Sequence, residues 1–146
     1  MTLERFGFIL ASGTLLALGT LHWYGVTGNM TESEPIGLYL KIPGEPAQGR
    51  MVQLRGLIKH IVGVPGDTIR TTPEGSYVNG KLWPHSAIPA DTNGYRPYSF
   101  GEFTLGLGQY WVLGQSGDSW DSRYLGPVPW DAIAFNIAPL WTTTNR

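Results

Sequence analysis

An uncharged and largely apolar stretch opens the chain and differs from everything that follows it. Phe6 to Tyr24 comprises 19 residues without a formal charge. As an α-helix this stretch would be roughly 28 Å long at about 1.5 Å per residue, close to the roughly 30 Å hydrocarbon core of a bilayer. Trp23 and Tyr24 end it, as interfacial aromatics often do. The pattern predicts a membrane anchor over residues 1–27 and a separate domain over residues 28–146.

Two other interpretations of this stretch stay open. One is a cleaved signal peptide, although no clear small-x-small site follows the apolar run directly. The other is a buried helix of the globular domain.

For an anchor, the distribution of charge predicts the orientation in the membrane. Arg5 precedes the stretch, whereas Glu32 and Glu34 come before the first positive residue after it, Lys41. The positive-inside rule then places the amino terminus in the cytoplasm and the domain outside.

The rest of the chain shows short apolar or alternating runs between turn residues, a pattern typical of β-strands. Leu57–Val64 is nearly continuously apolar, with Lys59 and His60 inside it, and this predicts a strand covered on both faces. Tyr77–Lys81 contains an Asn-Gly pair and predicts a tight hairpin. Further predicted strands are Ile36–Ile42, Arg50–Arg55, Thr68–Thr71, Phe103–Leu107, Gln109–Leu113 and Ala132–Leu140.

The turns between these runs predict which strands are neighbours. A Pro-Gly-Asp turn follows Leu57–Val64, so Thr68–Thr71 is expected to pair back. A glycine splits Phe103–Leu107 from Gln109–Leu113, which predicts another strand pair. Pro84–Tyr98 is rich in Pro, Asn, Asp and Gly and predicts a long surface excursion. The predicted fold class is therefore mainly β after an amino-terminal helix.

Composition narrows the possible functions. Hydrophobic residues make up 42% and charged residues 14% of the chain. This balance favours a folded core over disorder. The net charge of −1 gives no electrostatic footprint for nucleic acid, so no nucleic-acid partner is expected. The absence of cysteine excludes disulfides, thiolate zinc sites and cysteine nucleophiles.

Two segments carry a candidate nucleophile and a candidate base. Ser33 lies nine residues after the predicted span, although a lone serine near Gly and Pro is ordinarily a turn residue. Lys59 has apolar neighbours on both sides. Because burial disfavours an ammonium, such a lysine loses its proton readily and can accept one from a serine hydroxyl. The alternative is a lysine that reaches solvent or guards an edge strand.

A third polar segment, Gly114–Val128, contains Asp121 and Arg123 two residues apart. On an extended chain these side chains share a face and can pair with neighbours. The alternative is a polar loop held by an ion pair, which contributes little when it is exposed.

Together the three segments resemble the type I signal peptidase family, which uses a Ser/Lys dyad. The most specific of them is Ile58–Asp67, in which the lysine strand runs into Val-Pro-Gly-Asp. A finer resemblance is to the conjugative-transfer, TraF-type branch, carried by Ser33–Tyr39, Val78–Ser86 and Asp121–Pro127. The resemblance implies a mainly β fold, of the signal-peptidase and LexA-like kind, preceded by one transmembrane helix.

The resemblance also implies a role for individual residues. Ser33 would attack the scissile carbonyl, and Lys59 would be the general base. The backbone N–H of Ser33 and the hydroxyl of Thr31 would hold the oxyanion. Residues implied to support the site are Ser119, which would orient the lysine, and Asp121 with Arg123, a structural pair. Residues 114–118 lack the Gly-Asp-Asn-Arg run of the general secretory enzymes, which puts the usual substrate class in doubt.

The implied substrate is an exported precursor, in the conjugative branch a pilin subunit, which is either cleaved or also joined end to end. No cofactor is implied. The implied location is the bacterial inner membrane, with a single span and the catalytic domain on the periplasmic or outer side, so the lipid bilayer is itself a partner.

Other functions have less support in the sequence. A Ser-His-Asp triad would need one of three histidines. His22 falls inside the predicted span, His60 alternates to the face opposite Lys59, and His85 lies in the predicted excursion. The three histidines are far apart in the chain and do not show the spacing of metal ligands. A repressor-type Ser/Lys autoprotease would not be expected to carry a span. A membrane-tethered β binding module stays open, since six Trp and seven Tyr would suit peptide binding.

Overall fold

The computed structural model describes residues 11–17, 19–20, 25–92 and 94–143. Residues 11–17 and 19–20 are helical. Much of the predicted anchor, including its closing aromatic pair and His22, lies outside the described residues. Among the residues that are described, no helix is long and apolar enough to cross a bilayer.

The domain is built from two antiparallel sheets, so the mainly β prediction is confirmed. The strands are β1 (Val26–Asn29), β2 (Gly37–Ile42), β3 (Met51–Leu54), β4 (Leu57–Gly63), β5 (Thr68–Thr72), β6 (Gly75–Val78), β7 (Lys81–Leu82), β8 (Gly101–Thr104), β9 (Gln109–Leu113), β10 (Val128–Pro129) and β11 (Ile133–Thr142). The first sheet has the order β1-β2-β11-β3-β4-β9-β10, and the second has the order β7-β6-β5-β8. A short helix, Ser122–Leu125, and a 3-10 turn, Trp130–Ala132, precede the last strand.

Strand β4 lies inside the larger sheet, between β3 and β9. Its residues are buried or half-buried throughout, which confirms the predicted coverage of both faces. The Asn-Gly hairpin is also confirmed. Asn79 and Gly80 have positive φ angles of 49° and 81° and join β6 to β7 in two residues. Positive φ at both central positions is what the tightest hairpin turns require.

Two predicted strand pairings are wrong. Thr68–Thr71 forms a strand, but β5 pairs with β6 and β8 instead of returning to β4. Both edges of β4 are already occupied by β3 and β9, so no edge is left for it. In the same way β8 pairs with β5, whereas β9 pairs with β4 and β10. The glycine turn between β8 and β9 moves the chain from one sheet to the other.

The apolar side chains form three neighbouring clusters. One lies between the sheets and contains Val62, Ile69, Val78, Leu105, Trp111 and Leu113. The second packs Ile61 and Val112 against Val52, Leu54 and Val128. The third consists of Tyr39, Ile58 and Ile137, beneath the turn that follows β1. Close packing of this kind fixes the position of β4, and therefore of every side chain that it presents.

Candidate active site

The structure brings Ser33 and Lys59 together, although they are 26 residues apart in the chain. Lys59 Nζ lies 2.9 Å from Ser33 Oγ, within hydrogen-bond distance. Lys59 is almost fully buried, with 1% of its surface exposed, while Ser33 is half-buried. The two salt bridges in the described part of the chain are His60–Glu34 and Arg123–Asp121, and neither uses Lys59.

The environment of Lys59 favours the neutral amine. Burial lowers the pKa of Lys59 below the ordinary lysine value of 10.5. The negative charges of Asp121 and Glu34 act in the opposite direction, and the positive charge of Arg123 adds to the lowering. A lysine of this kind can accept a proton from a neighbouring hydroxyl at a lower pH than a free lysine can.

The turn that carries Ser33 is organised by Asn29, a residue that the sequence analysis did not single out. The Asn29 amide is buried, and its Nδ2 donates to the carbonyl oxygens of Thr31, Glu34 and Pro35 at 2.9, 2.9 and 3.2 Å. Its Oδ1 accepts from the backbone N–H of Thr31 at 3.1 Å. An Asn that bonds the backbone two residues onward is an ordinary turn signal, so the Asn-x-Thr spacing could have identified it.

Thr31 lies beside Ser33. Its Oγ1 is 3.1 Å from Ser33 Oγ and donates to Asn29 Oδ1 at 2.8 Å. In this structure the Thr31 hydroxyl is therefore directed toward Asn29. Rotation about the Cβ–Oγ1 bond is sufficient to redirect its proton.

Ser119 lies in the same cleft, but its hydroxyl makes no hydrogen bond to the lysine. A cleft of about 270 Å³ is lined by Ser33, Lys59, Ser119 and Trp120, among others. Ser119 Oγ is buried and has no hydrogen-bond partner in the described structure. It packs against Gly114, where a Cβ would lie 2.1 Å from Ser119 Oγ, so a larger residue at position 114 would displace Ser119.

Asp121 and Arg123 form a buried ion pair, so the alternative of an exposed pair is wrong. Arg123 Nη2 and Nε donate to the two oxygens of Asp121 at 2.8 and 2.9 Å, and both side chains are at most 1% exposed. The segment does not run on as an extended strand, because Asp121 caps the short helix that contains Arg123. The remaining guanidinium protons are donated mainly to the carbonyl oxygens of Ser116 and Gly117, both at 2.8 Å.

This ion pair holds the wall of the cleft. Asp121 Oδ2 accepts from the N–H of Gly114 at 2.8 Å, and the next N–H, that of Gln115, donates to the carbonyl oxygen of Ser33 at 2.9 Å. The segment after β9 is thereby tied to Ser33 through Gln115 and to the buried pair through Gly114. The pair therefore shapes the site without touching the Ser33 hydroxyl.

The two histidines that the structure describes, His60 and His85, do not complete a triad with Ser33. His60 points away from Lys59 and lies 3.1 Å from Glu34. His85 is exposed, with a positive φ of 56°, in a segment without strands among its described residues, as predicted for the surface excursion. Among the described residues, no group of three His, Cys, Asp or Glu side chains could hold a metal ion.

The chain is similar to signal peptidases and to a plasmid transfer protein. The family profile described as "Signal peptidase, peptidase S26" matches residues 2–141. The "Plasmid transfer protein TraF" of Escherichia coli is 32% identical, over 96% of this chain and 96% of that protein. The "Probable signal peptidase I-2" of Synechocystis is 40% identical over 49% of this chain and 32% of that protein. The crystal structure of a signal peptidase I from Enterococcus faecalis superposes with a TM-score of 0.44 at 20% identity, covering 66% of this chain and all of that one.

Proposed function

The chain belongs to the peptidase S26 family of signal peptidases and is a serine peptidase of that type, and we propose that it uses Ser33 and Lys59 to cut exported precursors beside a membrane. The observation that carries the proposal is the 2.9 Å contact between Ser33 Oγ and a buried amine free of any salt bridge in the described structure. The burial of Lys59 and its lowered pKa support a base role for the amine.

The proposed reaction has two halves. Lys59 Nζ takes the proton of Ser33 Oγ, which attacks the scissile carbonyl, and the ammonium then gives that proton to the leaving amine. The ester left on Ser33 is next attacked by a nucleophile that loses its proton to Lys59. With water as this nucleophile the product is a linear peptide, and with the substrate's own amino group it is a ring.

The anchor and the substrate are part of the same proposal. The predicted span ends at Tyr24, and nine residues reach at most roughly 30 Å, at about 3.3–3.6 Å each, so Ser33 would lie close to the membrane. We assign residues 1–27 to a single inner-membrane anchor and residues 28–146 to a domain on the outer, periplasmic side. The relation to a plasmid transfer protein supports a precursor from conjugative transfer, such as a pilin subunit.

A pilin precursor co-expressed with the full chain tests the substrate. Mass spectrometry is expected to show loss of a terminal segment with the wild type and an intact precursor with the Ser33→Ala variant. A product lighter by one water than the cleaved linear peptide would indicate ring closure. An unprocessed pilin precursor, alongside cleavage of a general secretory precursor, would exclude the conjugative substrate and retain the peptidase.

The rate of cleavage is expected to rise with pH. Neutral Lys59 is the active form, so kcat/KM should increase through the lowered pKa of Lys59 and level off above it. The measurement is kcat/KM for a fluorogenic precursor peptide across the pH range in which the protein stays folded. Lys81→Met removes an exposed lysine and should leave the midpoint unchanged. A profile that is flat from acid to alkaline pH would exclude Lys59 as the base.

Thr31→Val is expected to lower kcat by roughly 10²- to 10³-fold with little change in KM, as does removal of one oxyanion donor elsewhere. Valine keeps the shape of threonine and removes the hydroxyl that lies 3.1 Å from Ser33 Oγ. Thr31→Ser restores a hydroxyl and should recover most of the rate. Equal steady-state kinetics for Thr31→Val and the wild type would remove Thr31 from the proposed oxyanion site.

A further inference from the structure

The two residues that directly follow the proposed dyad in the chain also contact each other. Glu34 comes after Ser33, His60 comes after Lys59, and Glu34 Oε2 lies 3.1 Å from His60 Nε2. This contact joins the turn that carries Ser33 (residues 30–36, the nucleophile turn) to β4 a second time. The dyad makes the first connection between these segments on one face of β4, and this pair makes the second on the other.

A charged glutamate at position 34 would lower the stability of the fold if its role were only structural. Its side chain is completely buried, and Oε1 has no hydrogen-bond partner in the described structure. A buried carboxylate with one oxygen unpaired loses hydration that a single histidine contact does not replace. A neutral or apolar side chain would fill the same space with less penalty, so the charge itself calls for an explanation.

The reaction proposed above uses neither Glu34 nor His60. We propose that they form a clamp that positions Lys59 against Ser33, and that the negative charge of Glu34 strengthens Lys59 as a base. This inference rests on the proposed Ser33–Lys59 dyad. Glu34 and His60 are positioning residues in this scheme, because neither reaches the reacting atoms.

The charges around the pair agree with this role. Glu34 and Asp121 both raise the pKa of Lys59, against the larger lowering by burial and the smaller lowering by Arg123. Glu34 also faces Tyr39, where burial and then the Glu34 charge raise the pKa of the phenol. Glu34, Tyr39 and Lys59 are all buried, so solvent screens the charge of Glu34 only weakly at the other two side chains.

His60 also lies beside the cleft wall. Its Nε2 is 3.3 Å from Gln115 Nε2, but a ring nitrogen that donates to Glu34 cannot also accept from this amide. The hydrogen bond that ties the wall to the Ser33 turn is therefore the one from the backbone N–H of Gln115 to the Ser33 carbonyl oxygen, at 2.9 Å. The His60 side chain is 25% exposed, so it closes the Glu34 site toward solvent. Three chain segments, the nucleophile turn, β4 and the segment after β9, therefore meet at this one pair.

Removal of the negative charge of Glu34 should change the pKa of Lys59 in a definite direction. Without Glu34, the pKa of Lys59 would fall further, so more of the amine would be neutral at neutral pH. The same change makes the amine a weaker acceptor, because base strength follows basicity. Glu34→Gln should therefore move the midpoint of the pH profile to lower pH and reduce the plateau of kcat/KM several-fold.

The experiment compares Glu34→Gln with Glu32→Gln in the full chain, using kcat/KM for a fluorogenic precursor peptide against pH. The two glutamates flank Ser33, but Glu32 is exposed, and solvent screens its charge. We expect the midpoint to move for Glu34→Gln and to stay in place for Glu32→Gln. Equal midpoints for wild type and Glu34→Gln, or equal shifts in both variants, would overturn the assignment.

A titration without substrate keeps the test independent of activity. The chain has three lysines, so the ¹³Cε signal of Lys59 can be assigned with Lys59→Met and followed against pH. Its midpoint should be lower in Glu34→Gln than in the wild type, and an unchanged midpoint would contradict the charge effect. If Ser33→Ala still cleaves peptide, the dyad fails. If Ser33→Ala is inactive and Glu34→Gln titrates like the wild type, the dyad stands and the charge effect of Glu34 fails.

The positioning role is tested separately at His60. His60→Ala should lower the plateau of kcat by up to about 10²-fold, the scale of a small misplacement of a reacting group. His60→Gln keeps a donor for Glu34 and should recover most of that loss. Thermal unfolding of both variants shows whether the domain stays folded. Equal plateaus for wild type and a folded His60→Ala would exclude the clamp.

Discussion

Ser33→Ala and Lys59→Met are each expected to lower peptide cleavage by roughly 10⁴- to 10⁶-fold, the range found when one member of a nucleophile–base unit is removed. Alanine removes the atom that would form the acyl-enzyme. Methionine keeps the apolar stem of Lys59 but has no nitrogen 2.9 Å from Ser33 Oγ to take its proton. Single-turnover assays with a precursor peptide give the residual rates, and the double variant should be no slower than either single variant.

The stability of Lys59→Met separates a lost base from a lost fold. Burial lowers the pKa of Lys59, so its ammonium opposes folding fully below the lowered pKa, and this penalty is relieved as pH rises toward 10.5. Methionine carries no such penalty, so the variant should unfold at the same or a higher temperature than the wild type at neutral pH. Lys81→Met serves as the exposed control. An inactive but strongly destabilised Lys59→Met would make its activity uninformative, whereas near-normal cleavage by a folded variant would exclude the dyad.

Of the two residues Ser33 and Lys59, only Lys59 carries a local signal in the sequence. Lys59 is a charged residue inside a continuous apolar run, and the buried strand β4 confirms that pattern. Ser33 has no such signal of its own, and only its resemblance to a family motif brought it to attention. The contact itself joins two segments that are distant in the chain, and periodicity within either segment cannot relate them.

Strand pairing was harder to predict than strand existence. The runs that form β5 and β9 were recognised, but each pairs with strands other than the one suggested by the intervening turn. A turn indicates that the chain reverses, whereas pairing depends on which strand edges are still free. Because β3 and β9 already occupy both edges of β4, the choice is made by the whole sheet.

The buried polar residues were the least predictable part of the site. Glu34 stands between Ser33 and Pro35 in a polar stretch, and nothing in that stretch indicates full burial. Its partner His60 is known only once β4 and the nucleophile turn are packed together. Asp121 and Arg123 posed the same difficulty, because spacing indicates that two charges can pair but not whether water surrounds them.

Burial makes the Asp121–Arg123 pair important for stability. Asp121→Ala should lower the free energy of unfolding by about 3–5 kcal/mol, the scale found when one partner of a buried ion pair is removed. Arg123 would remain buried without its counter-charge, and the Gly114 N–H would lose its acceptor. Denaturant unfolding measures the change. Asp131→Ala, which removes an exposed carboxylate, should change it by less than about 1 kcal/mol.

A double variant shows why the loss at Asp121 is large. Asp121→Ala combined with Arg123→Met removes both charges, and replacing a buried pair with apolar groups is often close to neutral. The double variant should therefore be more stable than Asp121→Ala alone, although the carbonyl oxygens of Ser116 and Gly117 would lose their donor. The double variant should nevertheless cleave peptide slowly. It lacks the hydrogen bonds from Arg123 to Ser116 and Gly117, which hold the cleft wall beside Ser33. A loss below about 1 kcal/mol for Asp121→Ala, against the scale for buried pairs, would show that Arg123 does not need this carboxylate.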